Sequence, residues 1–282
     1  QYLFLEIEDQ VAVVTLNRPS TLNAISPELH EEISGACRQL QEDEEVRVVI
    51  WTGTGRGFCS GVDLTADRAH GKYQTRSERI DEYGWVGRQA IEVYRNLNKP
   101  TIAAVNGVAA GAGMSLELAC DMRVLSVSSR FKTVFIERSL SPDSGMSFFL
   151  PRIVGASRAF DLVYTSRFVE ADEAYRIGLL DRLAPTDSLI DEAKKLAQQI
   201  AFWPPVAMQM SKSVMQRGME SNLEEALRYE TNGITFARRA PHDVEEAAAS
   251  FRGKRPPNSV SYTHLRAHET LRYLVCRLLL EK

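Results

Sequence analysis

The stretch VNGVAAGAGMSLELACD, residues 105–121, decides the fold. A β-branched run from Thr101 to Val105 leads into it, small residues occupy 109–113, and a helical pattern takes over from Met114. A strand that enters a helix through glycine and alanine leaves unpaired backbone N–H groups at the helix start, where developing negative charge is stabilised. Small side chains at Ala110, Gly111 and Ala112 also let a ligand's polar atoms approach the backbone. Tight helix–strand packing needs small residues too, so this segment alone fits either reading.

Working outward, a second strand runs into a glycine-rich loop in WTGTGRGFCSGVDL, residues 51–64. Its glycines permit positive φ and close backbone approach, but their spacing matches neither a Walker A loop nor a dinucleotide fingerprint. Leu3 to Asn17 alternates as a hairpin about Glu8-Asp9-Gln10. Ser26-Pro27-Glu28-Leu29 then opens a helix, with serine as cap, proline at the first helical position and Leu29, Ile33, Cys37 and Leu40 at helical spacing. Val46–Trp51, Thr101–Val105 and Met122–Val127 read as strands separated by helix-like or glycine-rich segments, which implies stacked β/α crossovers. Beyond about residue 155 the pattern turns helical: 156–164, 171–176, 187–201, 206–217, 223–236 and 242–251. Charged faces on these helices suit packing on another subunit.

Composition bounds the function. The 282 residues are 44% hydrophobic and 25% charged, as in an ordinary globular chain with one main domain and an appendage. A net charge of −3 gives no basic field for nucleic acid or an anionic membrane surface. The most apolar runs are shorter than the ~20 residues of a membrane span. Cys37, Cys59, Cys120 and Cys276 lack CxxC spacing and read as reduced thiols, which predicts a cytoplasmic protein. His30, His70 and His242 stand apart without ligand spacing, so no metal is expected.

Both ends look irregular. Gln1 rather than methionine precedes a strand-like run, which predicts a truncated start. After Pro256-Pro257-Asn258 the character changes, and SVSYTHLRAHETLRYLVCRLLLEK, residues 259–282, resembles adapter read-through more than protein. An amphipathic docking helix is the competing reading, since leucine and arginine interleave there.

The two glycine-rich segments and LNRPSTLNA, residues 16–24, occur in the order found in the crotonase (enoyl-CoA hydratase/isomerase) superfamily, and the resemblance covers residues 2–257. It implies an α/β fold: a crotonase-type, ClpP-like spiral of ββα turns over residues 1–200, a C-terminal helical trimerisation region over 201–258, and a non-native tail. It implies an acyl-CoA thioester substrate, no cofactor beyond the coenzyme A that enters with it, and a homotrimer or homohexamer.

Residue by residue, the backbone N–H groups of Val62 and Ala112 correspond to the family's paired donors to the thioester oxygen. By the same alignment Ser20 to Leu22 and Ser60 face the adenine end of coenzyme A, and Asp63 and Leu64 line the pantetheine entrance. Arg18 and Arg56 are candidates for the phosphates. Enoyl-CoA hydratases use two glutamates, and here those positions hold Ser115 and Phe135. Glu117, two residues on, points about 200° away from Ser115 on a helix.

One acid is well placed: Ser141-Pro142-Asp143-Ser144-Gly145 resembles the PDxG segment of the family's isomerases, including the ring-opening isomerase of phenylacetate degradation. Asp143 takes the position of their proton-shuttling acid, and Pro142 and Phe135 line the acyl site. A cap on a helix starting at Ser144 would be its purely structural role. Phe135, Leu140, Phe148 and Phe149 promise apolar surroundings, and Tyr73, Tyr83 and Trp85 hint at a bulky acyl group or at a helix packed through aromatics. A dehalogenase would need a histidine where Arg88 stands, and a serine hydrolase would need a second glycine after Ser115. A hydratase using Asp143 with another carboxylate, and a noncatalytic acyl-CoA binder, remain as rivals.

Overall fold

A computed structural model describes residues 1–65 and 84–258. Tyr73, Tyr83, the Trp85 side chain and the tail from Ser259 therefore lie outside the described residues. The chain forms two compact units, Gln1–Ala201 and Phe202–Lys282.

The first unit is built on a six-stranded sheet. Strands β1 (Leu3–Glu8) and β2 (Val11–Leu16) form the expected hairpin, paired antiparallel from Leu3↔Leu16 to Glu8↔Val11. Next to β2, and parallel to it, come β3 (Val48–Gly53), β5 (Thr101–Val105), β7 (Met122–Ser126) and β10 (Arg182–Ala184). A second sheet holds the short strands β4 (Gly57–Cys59), β6 (Val108–Ala110), β8 (Arg130–Lys132) and β9 (Val169–Glu170). The chain alternates between sheets, β3 to β4, β5 to β6 and β7 to β8, so each turn of a spiral gives one strand to each. This is the α/β spiral of ββα turns that the sequence implied.

Strand β3 is buried at every position because both of its faces are covered, as parallel strands require. Val49 and Trp51 belong to the cluster that includes Leu29, Ile33, Cys37 and Leu40 of helix α1 (Pro27–Glu42). Val48 and Ile50 face the opposite way, into the cluster with Leu189, Ala193 and Leu196 of a helix spanning Leu189–Ala201. Ser26 caps α1 as its sequence predicts, its hydroxyl accepting from the Leu29 N–H.

The second unit contains a helix hairpin, Pro205–Gly218 and Leu223–Ala237, followed by a helix over Pro241–Gly253. The Asn222 side chain caps the second of these by accepting from Glu225 N–H at 3.0 Å. Gly233 lets the hairpin close: a Cβ there would lie 2.5 Å from Val214 Cγ2. Among the described residues no helix is long and apolar enough to cross a membrane.

Helix α2 spans Gly84–Ile91, and helix α3 (Ala112–Leu118), entered from β6, is buried along its whole length and carries one unusual group. Glu117 is 0% exposed and neither carboxyl oxygen has a hydrogen-bond partner among the described residues. Burial pushes its carboxyl well above the ordinary carboxylate range, and the nearby Arg123 offsets that only in part. A raised carboxyl pKa means that the fold binds a proton the unfolded chain has already released. Its stability is therefore complete below the ordinary carboxylate range and declines as pH rises above it. Glu117→Gln should be more stable than wild type at pH 8, by about 1–3 kcal/mol in urea unfolding, with the gain shrinking toward pH 4.

Candidate active site

The geometry begins at Ile25. Its N–H donates to Gly61 O at 2.8 Å and its carbonyl accepts from Asp63 N–H at 2.9 Å, forming a parallel bridge opposite Val62. In such a bridge the flanking residues make the bonds, so Val62's own N–H is turned to the other side. That side holds the start of α3. Gly61 has φ +98, and a Cβ on it would lie 2.9 Å from Ala110 O and 3.6 Å from Ala112 N. Gly113 completes the contact, because a Cβ there would overlap the Cys59 carbonyl. The Val62 and Ala112 segments are thus brought together by backbone alone, and neither N–H donates to a backbone carbonyl among the loop and cap bonds of the described residues.

Amides and one ion pair hold these loops. Asn23, 0% exposed, donates to Thr54 O at 3.0 Å and Gly57 O at 2.8 Å, and accepts from Arg18 N–H at 2.8 Å. Asn106 donates to Gly55 O at 2.9 Å and to the same Gly57 O at 3.1 Å. Ser60 ties the first loop to 20–22, its N–H donating to Leu22 O and its hydroxyl to Thr21 O, both at 2.9 Å. Burial pushes the Cys59 thiol beneath the loop up to about 12, so it stays protonated.

Arg18 does not stand free as a phosphate ligand. Its guanidinium donates to Asp63 Oδ2 at 2.8 Å and to Ala24 O at 2.5 Å, and lies over the Tyr2 ring. Asp63 is buried in turn, accepting from the Thr65 N–H and hydroxyl as well. Burial works to raise the Asp63 carboxyl, but the Thr65 and Arg18 hydrogen bonds outweigh it and hold it down at about 2. Both residues, expected at the coenzyme A entrance, therefore tie the 16–24 segment to the first loop. Ser20, Leu64 and Arg56 are exposed, and Leu22 is half-buried.

On the second side, the Gly111 N–H donates to Lys132 O at 3.0 Å, which lays the segment after β8 beside the start of α3. Val134 there has φ +58, a conformation that costs a β-branched residue strain. Phe135 follows, 4% exposed, in the same apolar cluster as Ala112, Met146 and Phe149. Ser115 is 1% exposed.

Asp143 is exposed, Pro142 half-buried, and the Asp143 Oδ1 accepts from the Ser144 hydroxyl at 2.6 Å. The alternative role of Asp143, a cap on a helix from Ser144, is not what it plays. Ser144 and Gly145 have φ +55 and +85, so the helix begins at Met146 and spans Met146–Val154 without a side-chain cap. Of the apolar surroundings expected for Asp143, Phe148 and Phe149 pack edge-on with Tyr94 at 5.9 and 5.0 Å, while Leu140 is exposed. Among the described residues no three His, Cys, Asp or Glu side chains gather as metal ligands.

Asn23, Asn106 and Thr65 were not singled out from sequence. Both asparagines lie inside the recognised segments, but an asparagine beside glycine reads first as a turn residue.

The chain is a two-sheet spiral in which the Val62 and Ala112 segments meet across a glycine contact. Residues 6–260 match the family model described as enoyl-CoA hydratase/isomerase, and the chain belongs to that family. It is 34% identical to the short-chain-enoyl-CoA hydratase of Clostridium acetobutylicum, across 90% of this chain and 95% of that one. It is 32% identical to the crotonyl-CoA hydratase of Syntrophomonas wolfei, across 92% and 98%. The crystal structure of an enoyl-CoA hydratase from Bacillus anthracis superposes with TM-score 0.84 at 31% identity, covering 92% of this chain and 99% of that one.

Because the Asp63 carboxyl is lowered by folding, the stability it contributes is present above the ordinary aspartate range near pH 4 and is lost as pH falls toward 2. Arg18→Ala should lower stability by about 2–4 kcal/mol at pH 7 in chemical unfolding, because the buried Asp63 carboxylate loses its cation while its Thr65 hydrogen bonds remain. The deficit should shrink below pH 4, where Asp63 can protonate in the variant.

Proposed function

We propose that this chain isomerises the double bond of an enoyl-CoA, or a related ring, with the Val62 and Ala112 N–H groups on the thioester oxygen and Asp143 moving the proton. The observation that carries this reading is the set of groups around the donor pair. The two positions at which the family's hydratases place glutamates hold a hydroxyl, Ser115, and a buried phenyl ring, Phe135. Neither takes a proton from water at neutral pH. Asp143 is left as the exposed carboxylate of the PDxG segment.

In the proposed reaction the Asp143 carboxylate removes a proton from C2 of a 3-enoyl thioester. The electron pair spreads onto the thioester oxygen, where each preorganised N–H contributes roughly 3–4 kcal/mol. Asp143 then returns the proton to C4, leaving the double bond between C2 and C3, with no net change in charge or oxidation state. Coenzyme A lies along the backbone of 20–22 and Ser60 and past Asp63 and Leu64, with Phe135 and Pro142 beside the acyl group.

Water addition is the second reading, favoured by the names of the relatives: both of those described above are hydratases, at 34% and 32% identity. It requires Asp143 to work with another carboxylate. The exposed Met215, Met219, Leu223 and Leu227 of the helix hairpin support a homotrimer or homohexamer.

The deciding measurement follows 3-hexenoyl-CoA and crotonyl-CoA by absorbance, with wild type and Asp143→Asn. Migration of the 3-enoyl double bond, reduced at least about 100-fold in the variant, is the expected outcome. Hydration of crotonyl-CoA without migration would replace this reading with the hydratase.

A further inference from the structure

Of the nine non-glycine residues with positive φ among the described residues, Val134 alone is β-branched. Nothing in its local sequence asks for that conformation. A left-handed valine is strained and persists only where its surroundings over-determine it. Here they do. Before it, Lys132 O accepts the Gly111 N–H at 3.0 Å, and the buried Thr133 donates its hydroxyl to Leu162 O at 3.0 Å. After it, Phe135 O accepts the Arg138 and Leu140 N–H groups, both at 3.0 Å. With the chain pinned on both sides, the peptides flanking Val134 cannot turn to relieve it.

The strained side chain rests on Gly111. A Cβ on that glycine would meet Val134 Cγ2 at 3.0 Å and Thr133 O at 3.8 Å, so the valine methyl covers that face of it. Gly111 in turn governs the neighbouring donor. Its φ of +49 and ψ of −124 suit glycine alone, and ψ sets which way the Gly111–Ala112 peptide, and with it the Ala112 N–H, is turned. One restraint on that peptide is Gly111 O, which accepts from the Ser115 N–H at 3.0 Å. This bond opens a helix of only seven residues, and glycine rotates freely beside it. The Val134 methyl supplies the side-chain contact that a glycine cannot make for itself.

We propose that Val134 is a positioning residue: its γ-methyl, held against Gly111 by a strained backbone, keeps the Ala112 N–H aimed at the thioester oxygen. This rests on the donor pair of the proposed reaction and goes beyond it by naming what steadies one donor. Val134 itself touches no reacting atom. The strain is stored where the site uses it.

The test reads the thioester carbonyl directly. Butyryl-CoA, isotopically labelled at its carbonyl, is bound to wild type, Val134→Ala and Val134→Ile, and the carbonyl stretch is recorded by infrared difference spectroscopy against the free ligand. In wild type the two N–H donors should lower the band. Val134→Ala should lose roughly half of that lowering and bind about 5-fold more weakly. It should melt within about 3 °C of wild type, because relief of the strain offsets the lost methyl contacts. Val134→Ile, which keeps the γ-methyl, should keep the full lowering. A role in packing alone would move the melting temperature and leave the band in place. Equal lowering in wild type and Val134→Ala, or an equal loss in Val134→Ile, overturns the assignment of Val134 and leaves the donor pair standing. A band that is not lowered in wild type, or failure of butyryl-CoA to bind it, overturns the donor-pair reading and the assignment with it.

Discussion

The site depends on one short piece of backbone pairing, the parallel bridge between Ile25 and Val62. By taking up Gly61 O and Asp63 N–H, Ile25 fixes which way the peptide between them faces, and Gly61 at φ +98 lies so close to the helix start that a Cβ on it would stand 2.9 Å from Ala110 O and 3.6 Å from Ala112 N. The other contacts described around the site support this arrangement. Asn23 and Asn106 grip the same Gly57 carbonyl from two sides, and Arg18 and Asp63 close the loop behind the bridge. The two loops meet because successive spiral turns place β4 and β6 side by side in the smaller sheet.

Much of this was legible in the sequence, for identifiable reasons. The hairpin, helix α1 and strand β5 carry periodic apolar patterns and strong punctuation, Ser26-Pro27 above all, and they lie where those signals put them. The smaller sheet was not legible. Its strands are two or three residues long and include Gly57, Ala109 and Ala110, too short and too small to display a period. The start of the helix at Met146 was missed because left-handed conformations at Ser144 and Gly145 carry no mark in residue type beyond the glycine itself.

The candidate site was legible in a different way. Val62 and Ala112 could be named as candidates because the role the resemblance implies for them is a backbone one, and close backbone approach is announced by the glycines around them. Side-chain roles were harder to read. Arg18 and Asp63 suggested a charged entrance, but the geometry pairs them with each other at 2.8 Å. Sequence reports which charges exist, while burial decides whether they face a ligand or one another.

Mounting the donors on paired backbone separates two design problems. In the proposed reaction the side chains beside the acyl group come from positions 115, 135 and 143, and none of them belongs to the Ile25–Val62 bridge or to the Gly61 and Gly113 contacts. Under that proposal, substitution there redirects the fate of a bound enolate without rebuilding the backbone that holds it. A scaffold wired in this way behaves like a fixed socket with exchangeable fittings, and a lineage can alter its chemistry through three residues while its fold stays constant.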